Sequence, residues 1–316
     1  MIPYTRKTLP NGLTVVVNRD RASKLAAVNI LYRVGARNEN PARTGFAHLF
    51  EHLMFRGTRA VENFDLPVQM ASGDNNAFTN NDYTDFYITL PKDNLETALW
   101  LESDRMEGLD ITPAKLEAEK KVVIEEFRQR YLNQPYGDQT MLLRALAYKV
   151  HPYRWAAIGL ATDHIAGATL ADVESFYRAH YRPSNAILSI SADMEEERML
   201  ELAEKWFAPL ADHPSATAAI PQEPVQTQAR RQEVERDVPA STVTVAYHMC
   251  ARTKPDFYTA DLVSDLLSGG DSGRLYTHLV KERNLLSSVN AYITGDVDPG
   301  LFVFTGQLLP GVTPEA

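Results

Sequence analysis

The sequence predicts an α+β fold, because its strands fall in hairpins and its helices in long blocks with no strict strand–helix alternation. Val28, Ile30, Tyr32 and Val34 alternate with other residues up to Gly35, the period of a half-buried strand that ends in a turn. Thr112 to Gln134 is instead one long helical run. Around residues 208–235 the composition shifts to that of a linker, and the remainder weakly repeats the strand-then-helix style of the first part. The expected organisation is a first lobe at 1–210, a linker at 211–235 and a second lobe at 236–316.

In chain order, Met1 to Asp20 reads as a strand pair turning at Pro10-Asn11-Gly12. After the strand of Val28 to Val34, a turn-forming stretch from Asn38 to Gly45 precedes a short helix with an apolar face of Phe46, Leu49, Phe50, Leu53 and Met54, closed by Gly57. Ala77-Phe78-Thr79 and Tyr83 to Leu90 read as strands. Thr112 can cap the long helix, Pro113 suits its first position, and Pro135 with Gly137 ends it. A strand at Ser184 to Ser191 and a helix at Met194 to Phe207 complete the first lobe. Beyond the linker come a strand (Thr242 to Met249), a helix (Phe257 to Leu267), a Gly-Gly turn, a helix (Arg274 to Lys281) and two strands (Ser287 to Thr294, Leu301 to Thr305).

Composition narrows the function classes. A chain of 316 residues that is 44% apolar can bury a large core. No apolar run approaches the roughly 18 residues that span a bilayer, so no membrane is expected, and the N-terminus lacks the apolar core of a secretion leader. The single Cys250 excludes an intramolecular disulfide and a multi-thiolate metal site. With the missing leader it favours a reducing, cytoplasmic compartment, a periplasmic one being left open. The net charge is −9, from 32 basic and 41 acidic residues, and Arg230-Arg231 is offset by Glu233 and Glu235. Nucleic acid is therefore not an expected partner.

The most informative stretch is His48-Leu49-Phe50-Glu51-His52. At about 100° per residue, His48 and His52 lie roughly 40° apart and one turn removed, with Glu51 projecting to the same side. Two imidazoles can hold one metal there, with a carboxylate beside its open position. The order inverts the H-E-x-x-H of zincin proteases. A third ligand has to come from elsewhere. Glu119 and Glu126 are seven residues apart on one face of the long helix, with Val122 and Val123 between them. Two turns rise about 10 Å, so at most one of them can share the metal, while the other could orient a ligand histidine. Alternatively both are surface glutamates.

Taken with its surroundings, the motif resembles the pitrilysin/insulinase family of inverted-zincin metallopeptidases, in its bacterial, processing-protease-like form. The residues that carry the resemblance are His48-x-x-Glu51-His52 followed by Glu119 to Glu126, with Pro10-Asn11-Gly12-Leu13, Gly35-Ala36-Arg37, Asn76-Ala77-Phe78-Thr79, Thr84-Asp85-Phe86-Tyr87, Pro135-Tyr136-Gly137, Tyr181-Arg182-Pro183-Ser184-Asn185 and Gly269 to Leu275 in order. The resemblance implies two homologous lobes, each a mostly antiparallel sheet with helices packed on it, of which the second stops part-way. It implies one Zn2+ per chain held by His48, His52 and Glu126, with Glu119 behind a ligand and Glu51 as the base acting on the metal-bound water. The implied activity is endopeptidase cleavage of peptides or small unfolded polypeptides. Asn76, Ala77 and Phe78 correspond to an edge strand on which a peptide adds as an extra strand.

Two departures qualify that picture. The chain ends part-way through the second lobe by comparison with the family, which is the expectation for a fragment. Many family members also carry an arginine and, seven residues on, a tyrosine that hold the substrate carbonyl. Here those positions are Lys281 and Ser288, with Tyr292 as a fallback donor. Lysine supplies charge without a bidentate fork, and serine is too short to replace a phenol. A homodimer, or a heterodimer with a family partner, is expected to supply the missing pair. The alternative is a non-catalytic or partner-dependent subunit that serves as a peptide-binding scaffold.

Overall fold

The computed structural model describes residues 2–213 and 218–315, so residues 214–217 of the expected linker, and the terminal residues of the two expected lobes, lie outside it. The chain forms two compact units, Met1–Arg128 with His151–Gln222, and Gln129–Val150 with Glu223–Ala316. The expected first lobe ran unbroken to residue 210, whereas the structure groups Gln129–Val150 with the second unit. Periodicity indicates what a segment forms, not what it packs on.

The first unit is built on strands β1 (Thr5–Thr8), β2 (Thr14–Arg19) and β3 (Leu25–Tyr32), helices α1 (Phe46–Leu53) and α2 (Asp65–Met70), and strands β4 (Asp74–Thr79) and β5 (Thr84–Pro91). Helices α3 (Leu95–Glu107) and α4 (Pro113–Phe127) follow; α5 (Gln139–Ala147) belongs to the second unit. The chain then returns with α6 (Thr162–Ala166), α7 (Leu170–His180), strand β6 (Ala186–Ala192) and α8 (Glu196–Phe207). Six strands form one sheet in the order β1-β2-β6-β3-β5-β4. All its pairings are antiparallel except β2 with β6. This is the α+β architecture read from the sequence.

Alternation explains how the sheet is covered. Along β3 Ala26, Val28, Ile30 and Tyr32 are buried, facing the same layer as Leu188 and Ile190 of β6 and Phe86 and Ile88 of β5. Helix α1 lays Phe46, Leu49, Phe50 and Leu53 into this core. Two glycines bracket it, Gly45 at φ +92° and Gly57 at φ +98°, a region that side chains disfavour. A Cβ would also meet the Ile158 carbonyl at 2.6 Å from Gly45 and the Glu62 carbonyl at 2.4 Å from Gly57.

The long helix starts where expected, with Lys115 N–H donating to Thr112 Oγ1 at 3.2 Å and Pro113 in its first turn. It is α-helical only to Phe127 and widens into a π-helical stretch at Arg128–Leu132, where the sequence predicts helix to Gln134. Helices α2, α3, α5, α6 and α7 are absent from the sequence expectation. For α7 a signal exists, since Thr169 and Asp172 form a reciprocal capping box.

In the second unit, β7 (Thr242–His248), α9 (Asp256–Ser268), β8 (Leu286–Ile293) and β9 (Leu301–Leu308) make a three-stranded antiparallel sheet ordered β7-β9-β8. The expected helix at Arg274 to Lys281 is a π-helical stretch, Tyr276–Glu282. Strand, helix, strand, strand with the last strand central is also the arrangement of β3, α1, β4 and β5, where the order is β3-β5-β4. The two units thus repeat one topology, which gives the weak sequence repetition its physical content. Among the described residues no helix is long and apolar enough to cross a membrane.

Candidate metal centre

Helices α1 and α4 build the site between them. His48 and His52 are one turn apart on α1, their ring centres 4.9 Å from each other. Glu126, near the end of α4, reaches both: its Oε1 is 3.6 Å from His48 Nε2 and its Oε2 3.3 Å from His52 Nε2. One ligand atom from each of the three residues lies within 4.8 Å of the others, the one such cluster of metal-ligating groups among the described residues. A tetrahedral zinc with bonds of about 2.1 Å sets its ligand atoms about 3.4 Å apart. The donor set therefore fits zinc in both chemistry and spacing.

Glu119 sits two turns back along α4, only 1% exposed, with Oε2 3.5 Å from His52 Nδ1. His52 thus turns Nε2 to the cluster and Nδ1 to a carboxylate, the relation that fixes a ligand histidine's tautomer and ring orientation. Arg56 holds the other oxygen, its Nε 2.6 Å from Glu119 Oε1. Burial alone would raise the Glu119 carboxyl, yet His52 and Arg56 hold it below the ordinary value. Burial likewise acts to lower His52, and Glu119 with Glu126 overcome it, lifting the imidazole to about 9. A histidine gripped that way marks a pocket short of positive charge, which a divalent cation supplies.

The helix is also clamped at its start. Gly45 takes a left-handed conformation and offers no cap, so Glu39 reaches over from the preceding loop. It accepts from Gly45 N–H and Ala47 N–H, both at 2.9 Å, satisfying donors that a helix N-terminus leaves open. No local signal marks this in the sequence, because a cap six residues before Gly45 follows no fixed spacing. Burial pushes the Glu39 carboxyl up to about 8, against the pull of the Ala47 and Gly45 N–H groups. The folded chain then keeps a proton that the unfolded chain releases at its ordinary 4.5, so this group removes stability as pH rises from 4.5 to 8. Melts at stepped pH should show Tm falling across that window and Glu39→Gln flattening the fall; an unchanged slope in the variant would assign the titration to another group.

The remaining expected residues fall in two places. Asn76, Ala77 and Phe78 lie on β4, an edge of the six-stranded sheet, which packs against α1. Asn76 Oδ1 accepts from Ala77 N–H at 2.8 Å, and Phe78 is 44% exposed. Lys281 and Ser288 belong to the second unit. There Lys281 Nζ donates to the Asp271 carbonyl at 3.2 Å and lies 5.1 Å from the centre of the Tyr276 ring. Ser288 and Tyr292 are both on β8. Glu51 is half-buried on α1 beside His52.

Known proteins resemble this chain over most of its length. Residues 14–156 match the model described as insulinase (peptidase family M16), and residues 167–316 the one described as peptidase M16 inactive domain. The chain is 34% identical over 315 residues to the zinc protease PqqE of Helicobacter pylori, covering 98% of itself and 71% of that protein. It is 26% identical to a probable mitochondrial-processing peptidase subunit beta of Arabidopsis thaliana, covering 95% of itself and 59% of that relative. The crystal structure of a protease from Helicobacter pylori superimposes with a TM-score of 0.94 at 32% identity, over 100% of this chain and 77% of that one.

Proposed function

Because the chain belongs to the insulinase family of M16 peptidases, we propose that it is a zinc-dependent endopeptidase with His48, His52 and Glu126 as the metal ligands. The observation that carries this reading is the approach of those three ligand atoms to within 4.8 Å of one another, with a carboxylate one residue before His52. When bound, zinc supplies a Lewis acid that lowers the pKa of a coordinated water to about 7 and polarises the scissile carbonyl. Glu51 takes the proton of the attacking water and returns it to the leaving amine. Glu119 keeps His52 oriented from behind. A peptide adds along β4, where the Asn76 side chain gives up its hold on Ala77 N–H to an incoming carbonyl, and backbone pairing of that kind tolerates varied sequences.

A second reading, a partner-dependent subunit that binds peptides, is favoured by Lys281 and Ser288 standing where the family carries arginine and tyrosine, and by the match of residues 167–316 to a domain described as inactive. In that reading a second copy, or a family partner, supplies the missing donors. Metal content by mass spectrometry, beside peptide hydrolysis, separates the two. The proposal expects about one zinc per chain, lost in Glu126→Gln and weakened in Glu119→Gln. Zinc without hydrolysis until a partner is added would support the subunit, and a folded chain without zinc would remove the metallopeptidase reading.

A further inference from the structure

Helices α1 and α4 run antiparallel across the metal centre, and their facing residues form a ladder. His48 meets Glu126, His52 meets Glu126 on one side and Glu119 on the other, and Arg56 meets Glu119. His48 and His52 lie one turn apart on α1, and Arg56 follows in the turn after the helix end at Leu53, where its N–H donates to the Leu53 carbonyl. The first two rungs are the ligand set of the proposed function. Arg56, in the last rung, has no part in it.

We infer that Arg56 is a positioning residue for the metal centre, acting through Glu119 to aim the imidazole of His52. The inference rests on the zinc reading and deepens it. Glu119 is 1% exposed and neither of its oxygens makes a hydrogen bond, so the desolvation cost of this buried carboxylate is offset only by the charges that face it. Two partners face it: Arg56 on Oε1 at 2.6 Å and His52 on Oε2 at 3.5 Å. The Arg56 contact is an ion pair without hydrogen-bond geometry, so it is the attraction of the guanidinium charge that draws Oε1 to one side and leaves Oε2 toward His52 Nδ1. Without Arg56 the carboxylate can turn, and the ring it orients turns with it.

Arginine suits the task. Its guanidinium stays charged, and its planar fork loses little freedom on binding a carboxylate. The backbone under it is fixed too, since Arg56 N–H donates to the Leu53 carbonyl at 3.0 Å and Gly57 follows in its left-handed turn. The side chain is 52% exposed, so its removal opens no core.

The test is zinc affinity by competition with a chromophoric chelator, on wild type, Arg56→Met, Arg56→Lys, Glu119→Gln and the double variant Arg56→Met/Glu119→Gln, with thermal melts of the metal-free proteins as the control for folding. Arg56→Met should weaken zinc about tenfold. Arg56→Lys should recover most of that loss. In the Glu119→Gln background, removing Arg56 should change affinity by less than about twofold, because the group it acts through has already been altered. Unchanged affinity in Arg56→Met, or an undiminished loss in the double variant, would overturn the inference. A wild-type chain that takes up no zinc would defeat the zinc reading itself, so the two failures are distinct.

Discussion

Glu51→Gln is expected to abolish peptide hydrolysis while leaving zinc in place. The amide keeps the size and half-buried setting of the carboxylate but cannot accept the proton of the attacking water. General-base catalysis contributes about 10²–10⁴-fold, and here the same group also has to protonate the leaving amine, so kcat should fall toward the upper end of that range. Glu51 lies outside the ligand cluster, so mass spectrometry should still find one zinc per chain in the variant. Glu126→Gln should lose metal and activity together. Hydrolysis within tenfold of wild type in Glu51→Gln would move the base to another residue.

The largest stability effect should come from a pair that sequence reading passed over. Arg105 and Glu102 on α3 form a bidentate ion pair, 1% and 0% exposed, with Nε donating to Oε2 at 2.7 Å. The guanidinium also lies 4.2 Å from the centre of the Phe86 ring and 4.4 Å from that of Phe64. Removing one partner strands the other charge in the core. Arg105→Met or Glu102→Gln alone should therefore cost about 3–5 kcal/mol, or roughly 10 °C in Tm for a unit of this size. The double change Glu102→Leu/Arg105→Met should recover most of the loss, since two apolar side chains leave nothing unpaired. Denaturant melts of the three variants test this, and a double variant as unstable as the singles would show that the pair contributes net stability.

The juxtaposition of His48, His52 and the α4 glutamates was legible because it depends on helical spacing. His48 and His52 at i and i+4, and Glu119 and Glu126 at i and i+7, had to share faces once their helices formed. What spacing could not decide was which glutamate meets the metal side, since both project the same way from α4. The resemblance assigned Glu126, and the structure brings Glu126 to both imidazole Nε2 atoms and Glu119 to Nδ1 of His52. The fold was legible where strands alternate, as along β3. Helices α3 and α5 were not, because α3 is buried on more than one side, down to Glu102 and Arg105, and shows no clean apolar stripe. Glu39 escaped because its partners lie across a loop. Arg56 was not legible either, because it lies in the turn beyond Leu53, where helical spacing no longer places a side chain.

The glycines on either side of α1 bear on how such a centre can be moved between scaffolds. Gly45 and Gly57 hold left-handed turns pressed against carbonyl groups of neighbouring loops, and Glu39 ties down the first of those turns. A designer who copied only His48 to His52 onto a straight helix elsewhere would import the ligands without the bends that set where they point. The transferable module is the whole span from Glu39 to Gly57, together with the part of α4 that faces it.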